Sequence, residues 1–224
     1  MVSINSYDAE CHQSCPLPDK MEIDGKASLI KGVYNRIVRD YHPKWTGFKI
    51  TTYNDAPAGS GLGTSSTMVV CIIKAFVEWL SLPLGDYEIA RMAYEVERKD
   101  LELSGGKQDQ YAAAFGGFNY MEFLENDMVI VNPLKVKRWI TDELELLCYC
   151  ISQKVTFICR HHRPTEANTA NKESRSIEAM HHIKQSAKDM KLALLKGDMR
   201  EFARILGQAW EDKKKMADAI TNCH

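Results

Sequence analysis

The chain has 224 residues, with 29 Lys and Arg against 30 Asp and Glu, so its overall charge draws it neither to nucleic acid nor to an anionic membrane. Hydrophobic residues make up 45% and charged residues 26%, the balance of a globular protein with a real core, in one large domain or two smaller ones. No run of about 18 apolar residues is present to span a bilayer, the opening MVSINSYDAE lacks a signal-peptide core, and seven scattered cysteines make no disulfide framework, which points to a reducing, cytoplasmic setting.

In chain order, Lys26–Tyr41 carries Leu29, Val33 and Ile37 at helical spacing with Ile30 and Tyr34 beside them, and reads as an amphipathic helix. Phe48–Tyr53 alternates like a strand. Pro57–Ser66, reading PAGSGLGTSS, follows it, and Met68–Leu80 is a dense apolar run that reads as a buried helix. Strand, glycine-rich loop and helix in this order turn backbone N–H groups and a helix N-terminus toward phosphate oxygens. Gly59, Gly61 and Gly63 allow close approach and positive φ, and Thr64, Ser65 and Ser66 put hydroxyls where the helix begins. The stretch reads as a phosphate-binding loop for a nucleotide, formed by Pro57, Gly59, Ser60, Gly61, Leu62, Gly63, Thr64, Ser65 and Ser66; the plainer alternative is a simple glycine turn. A Walker loop is excluded because no lysine follows until Lys74, and a dinucleotide fingerprint because Thr64 stands where its third glycine belongs.

Asp86 can cap a helix running to about Leu101, with Ile89, Met92, Ala93 and Val96 inward. In Glu97–Gly117, Asp109 follows a Gly-Gly pair and opens a short alanine-rich helix that stops at Gly116-Gly117. The positive end of that helix favours the charged carboxylate, which can accept a proton from a hydroxyl attacking phosphorus. The alternatives are that Asp109 merely caps the helix and that Glu97 is a solvated surface residue. Phe118–Leu124 and Met128–Val131 read as strands joined around Asn126-Asp127, and Leu144–Ile151 as a further strand. From about Lys172 two long helices follow, broken at Gly197-Asp198. Ile177, Met180, Ile183, Ala187, Met190 and Leu194 line the first; Phe202, Ile205, Leu206, Ala209 and Trp210 line the second. Cys148–Arg163 is rich in cysteine and histidine, but Cys148, Cys150, Cys159, His161 and His162 lack the separations of a zinc site.

Two motifs about forty residues apart resemble those of the GHMP small-molecule kinases, which include galactokinase, homoserine kinase and mevalonate kinase. Pro57, Gly61, Leu62, Gly63, Thr64 and Ser65 follow P-x-x-x-G-L-G-S-S-A-A, with Ser66 and Thr67 in place of the alanines. GGKQDQYAAAFGG followed by FNYMEF looks most like the D-glycero-D-manno-heptose 7-phosphate kinase branch. The resemblance covers roughly residues 20 to 150 well, and the later helices more loosely. It implies an α+β, two-lobed fold with a ribosomal protein S5 domain 2-like N-terminal lobe over residues 1–150 and the start of an incomplete helical lobe over 151–224. It also implies ATP and Mg²⁺, Asp109 as catalytic base, and Ser65 and Glu97 as the groups serving magnesium. Lys107 is a further candidate for positive charge near the transferred group. The acceptor implied is the anomeric hydroxyl of a heptose 7-phosphate, with no nucleic acid or membrane partner. The Lys172–Ala219 hairpin offers a surface for a homodimer, although such helices more often bury their apolar faces within their own domain.

Three departures from the family stand out. An early sugar-binding segment and a late G-x-G-G-G motif are not found, so the chain reads as short at both ends. The family's T-G-x-S-R-x-S-A-x-I-I segment is missing where Cys148–Arg163 stands, which reads either as a divergent strand and loop or as a local frameshift. These departures keep open a second reading, a nucleotide-binding remnant without turnover.

Overall fold

A computed structural model describes residues 1–7, 11–45, 47–56, 60–147 and 169–216. The chain divides into two compact units, one of Met1–Asn132 and a second that begins at Pro133. The division expected at residue 150 falls outside the described residues, as does Cys148–Arg163 with its candidate zinc ligands.

The first unit opens with a hairpin that the polar composition of its strands conceals, β1 (Val2–Ser6) and β2 (Cys11–Cys15). Val2 and Ile4 point inward at 0% and 2% exposure while the polar residues between them stay partly exposed, so the alternation is there but short. β3 (Phe48–Thr52) pairs with β1 in parallel, giving the order β2-β1-β3. A parallel partner needs a long return, and the return carries α1 (Ser28–Tyr41). Its buried side includes Ile30, Val33, Tyr34 and Ile37, as the apolar spacing predicts.

α2 (Thr64–Leu80) is the central helix, with Val69, Val70, Ile72, Ile73, Phe76 and Val77 all buried. Trp45 lies between its C-terminal half and α1, stacked on Tyr34 at 5.3 Å and on Trp79 at 5.6 Å between ring centres. α3 (Asp86–Glu95) starts one residue earlier than expected in its capping. Gly85 is the N-cap, and its N–H donates to Glu88 Oε2 at 3.1 Å, while Asp86 pairs with Lys74 at 3.1 Å. The helix widens into one π-helical turn over Val96–Asp100. α4 (Gln108–Phe115) follows, then the hairpin β4 (Asn119–Phe123) and β5 (Val129–Pro133). Tyr87 Oη accepts the Val131 N–H at 2.9 Å and ties this hairpin to α3.

The second unit is helical: α5 (Arg138–Leu147), α6 (Thr169–Lys196) and α7 (Met199–Lys214). Of the strand expected over Leu144–Ile151, the described part to Leu147 is instead the end of α5, and the rest lies outside the described residues. Ile140 and Leu144 lie four residues apart on one face, with Asp142, Glu143 and Glu145 between and beyond them, and helical spacing outweighs the local apolar content. Ile140, Leu194 and Met199 form the buried centre of this unit. The α6–α7 break falls where expected. Gly197 has φ +75°, and a Cβ there would lie 2.3 Å from the Trp139 ring, so only glycine fits; Asp198 then caps α7 by accepting the Glu201 N–H at 3.0 Å. Of the expected apolar lines, Leu194 and Ile205 are buried, whereas Ile177, Met180, Leu206 and Trp210 are exposed; Ala179, Ala193 and Met199 are buried beside them. Among the described residues no helix is long and apolar enough to cross a membrane.

One ionic cluster joins α1 to the π turn. Arg36, 8% exposed, reaches Asp100 at 2.7 Å and Glu95 at 2.9 Å. Removing a buried cation leaves two carboxylates facing each other, so Arg36→Ala is expected to lower unfolding stability by about 2–4 kcal/mol in urea titration. Asp24 anchors the start of α1 by accepting from Lys31 Nζ at 2.6 Å and the Lys26 N–H at 3.0 Å. Its bond to Lys31 holds the Asp24 carboxyl at about 2, below the ordinary 3.8. A carboxyl depressed in the fold stabilises above its unfolded pKa, and that contribution is lost as pH falls through about 2. Asp24→Asn should therefore lower stability near neutral pH and flatten its fall between pH 4 and 2, measured by denaturant melts across that range.

Candidate active site

Gly61 and Gly63 have φ +74° and +71°, the left-handed conformation that lets the loop curl tightly into α2. Gly63 is the N-cap residue of α2, and its carbonyl already accepts the Thr67 N–H at 2.9 Å. The first N–H groups of a helix have no acceptor within it, so Thr64, Ser65 and Ser66 present theirs at the positive end of a 17-residue helix. Ser60 Oγ is buried with no hydrogen-bond partner among the described residues. Leu62 is exposed, and Pro57 and Gly59 lie outside the described residues.

Asp109 belongs to the first turn of α4, and its carboxyl group is brought directly against Gly63. A Cβ on Gly63 would lie 3.2 Å from Asp109 Cγ, so the absent side chain is what lets the two helix starts meet. The Asp109 carboxylate thus stands beside the N-terminus of α2, the end of a helix that suits an anion.

Glu97 comes from the π turn and is 1% exposed. Ser65 Oγ donates to its Oε1 at 2.8 Å, which joins the two residues expected to serve magnesium. The π turn has a local role, because its wider hydrogen bonding rotates the residues that follow α3; Leu101 N–H donates to Val96 O at 2.9 Å and Leu103 N–H to Glu97 O at 2.8 Å. Among the described residues no three His, Cys, Asp or Glu side chains cluster to cage a metal. Two hard oxygens, a serine hydroxyl and a carboxylate, suit Mg²⁺, which takes few protein ligands and keeps its phosphate and water oxygens.

Two placements differ from the sequence expectation, and one alternative is removed. The Ser66 hydroxyl is turned inward: the residue is buried, and its Oγ accepts from Gln110 Nε2 at 3.0 Å. Lys107 does not stand free beside the loop. Its Nζ lies 2.6 Å from Asp127 and 5.3 Å from the Tyr94 ring centre, and the bond to Asp127 raises its pKa further. Glu97 is not a solvated surface residue but a buried, hydrogen-bonded one.

Two residues were missed. Arg98 donates to Leu103 O at 3.3 Å and to Gly106 O at 3.2 Å, and a Cβ at Gly105 (φ +143°) would lie 2.6 Å from its Nη2. It thereby shapes the loop that delivers Asp109. Gln110, 0% exposed, donates from Nε2 to Ser66 Oγ and to Glu97 Oε2. A helical phase would have found it, since Gln110 lies four residues before buried Ala114 and shares its face.

Residues 28–117 match the family described as GHMP kinases N terminal domain. The chain is 51% identical over 201 residues to D-glycero-alpha-D-manno-heptose 7-phosphate kinase of Campylobacter jejuni, a match covering 89% of this chain and 58% of that protein. It resembles the crystal structure of a D-glycero-D-manno-heptose 1-phosphate kinase from Bacteroides thetaiotaomicron, with TM-score 0.80 and 65% identity over 96% of this chain and 64% of that one. A putative sugar kinase from Campylobacter jejuni gives TM-score 0.73 at 45% identity, covering 95% of this chain and 60% of the other. The chain thus spans about three-fifths of the length of these relatives. At 17% identity, the mevalonate kinase of Methanococcus jannaschii shares the fold, with TM-score 0.59 over 96% of this chain and 65% of that one. Gly61, Gly63, Ser65, Glu97 and Asp109 all lie within residues 28–117, so the part of the chain that holds them is a GHMP kinase N-terminal domain.

Proposed function

We propose that this chain carries the phosphate-transfer site of an ATP-dependent sugar kinase whose acceptor is the anomeric hydroxyl of D-glycero-D-manno-heptose 7-phosphate. The observation that carries the reading is the approach of Asp109 to Gly63, which sets a carboxylate against the N-terminus of α2. The α2 N–H groups and glycine loop hold the phosphates, and Ser60, Gly61, Gly63, Thr64 and Ser65 form the described part of that cradle. The sugar oxygen attacks the γ-phosphorus while its proton passes to the Asp109 carboxylate. The new O–P bond forms as the bond between the γ-phosphorus and the bridging oxygen breaks, and the electron pair leaves with ADP.

Ser65 and Glu97 would hold Mg²⁺, whose chemistry when bound is to neutralise charge on the phosphates. Glu97 cannot turn away, because both of its oxygens accept hydrogen bonds from neighbouring side chains. Lys107 acts on the loop rather than on phosphate, pinning α4 to the β4–β5 turn through Asp127. Support for the acceptor comes from the similar proteins, one a heptose 7-phosphate kinase and one a heptose 1-phosphate kinase. A cytoplasmic setting fits an ATP-dependent enzyme whose described cysteines, Cys11, Cys15 and Cys71, are free. The exposed Ile177, Met180, Leu206 and Trp210 fit a homodimer contact through the helical hairpin.

The test is phosphorylation of heptose 7-phosphate by this chain, with the 1-phosphate and unphosphorylated heptose alongside. Asp109→Asn is expected to lower kcat by about 10²–10⁴-fold with MgATP binding retained; equal turnover by the variant would remove Asp109 from the role of base. Gly63→Ala combines a left-handed backbone with crowding of Asp109, and should weaken ATP binding about tenfold in calorimetry.

A further inference from the structure

We infer that Gln110 is a positioning residue that aims Glu97 at the metal, and that it links the metal side of the site to the base through α4. The inference rests on the reading of Glu97 and Ser65 as metal-serving oxygens. Gln110 is fully buried, and its one donor group is spent on Glu97 Oε2 and Ser66 Oγ. Its own oxygen, Oε1, is buried with no partner among the described residues. An apolar side chain of this size would pack here without that cost, so the amide is retained for what its N–H groups do.

What they do is fix one carboxylate oxygen and leave the other for the site. With Oε2 held by Gln110, Glu97 Oε1 is the oxygen that meets Ser65. The Ser65 hydroxyl gives its proton to Oε1, so its lone pairs are left for a cation. A neutral amide holds the carboxylate without cancelling its charge, whereas a Lys or Arg in its place would neutralise the group meant to attract a dication. Arg98 stands 4.0 Å from Oε1, but its guanidinium is committed to the Leu103 and Gly106 carbonyls. Consecutive residues on a helix point about 100° apart. Asp109 therefore faces Gly63 while Gln110 faces inward to Glu97, and a shift of α4 would move both together.

The experiment measures Mn²⁺ binding to this chain in the presence of ADP, by loss of the free-ion electron paramagnetic resonance signal. Gln110→Met, close in volume but without donors, is expected to weaken Mn²⁺ about tenfold, the usual effect of removing a group that orients a metal ligand. Glu97→Ala should weaken it at least as much. The double variant should be no weaker than Glu97→Ala alone, because Gln110 acts through Glu97. ADP binding without metal, and the metal-free melting profile, report the fold; Gln110→Asn, which withdraws the amide by one carbon, replaces Gln110→Met should that variant not fold. Unchanged Mn²⁺ affinity on Gln110 substitution, or additive losses in the double variant, with Glu97→Ala impaired, would overturn the role of Gln110 and leave the metal reading standing. Unchanged affinity in Glu97→Ala would overturn the metal reading and the inference with it.

Discussion

A carboxylate with 1% of its surface in contact with solvent persists only if donors surround it, and the site is arranged around meeting that demand at Glu97. The donors come from two other helices: Ser65 from the first turn of α2, and Gln110 from the first turn of α4. Satisfying one buried charge therefore brings the start of α2 and the start of α4, which carries Asp109, to the same point. Gly63 completes the approach by having no side chain to hold Asp109 away.

The framework behind this point is built from packing and a second buried charge. α2 offers six buried apolar residues between α1, α3 and α4, which fixes its axis and so the direction of its N-terminus. Arg36 clamps Glu95 and Asp100 at either end of the π turn, so the segment carrying Glu97 is held from α1 as well as from α2 and α4. Lys74 closes the group by donating to Ala114 O at 2.6 Å while pairing with Asp86. Chemistry that depends on alignment more than on reactive groups needs such a rigid support.

Local patterns were read well where they arise from local physics. The apolar spacing of α1, the run of α2, the turn at Asn126-Asp127 and the break at Gly197-Asp198 all stand near where the residues place them. The β1–β2 hairpin escaped because VSINS and CHQSC are short and polar, and only burial against the core distinguishes their inward residues. α5 was misread as a strand because a few leucines say nothing of period until the residue at 140 is counted with them. The lines on α6 and α7 stand in part: Leu194 and Ile205 are buried, while Ile177, Met180, Leu206 and Trp210 are exposed, because period alone locates a face and not how much of it is covered.

The sequence by itself carried the motifs of the GHMP kinase N-terminal domain and the residue types of the candidate site, because glycines, hydroxyls and a carboxylate at those spacings have few other uses. Tertiary structure alone decided which of those groups meet. It turned Ser66 inward, tied Lys107 to Asp127, buried Glu97 and made Gln110 its partner. Those outcomes depend on how α2, the π turn and α4 converge from positions 44, 32 and 13 residues apart in the chain, and a contact across such distances is created by packing, not by spacing.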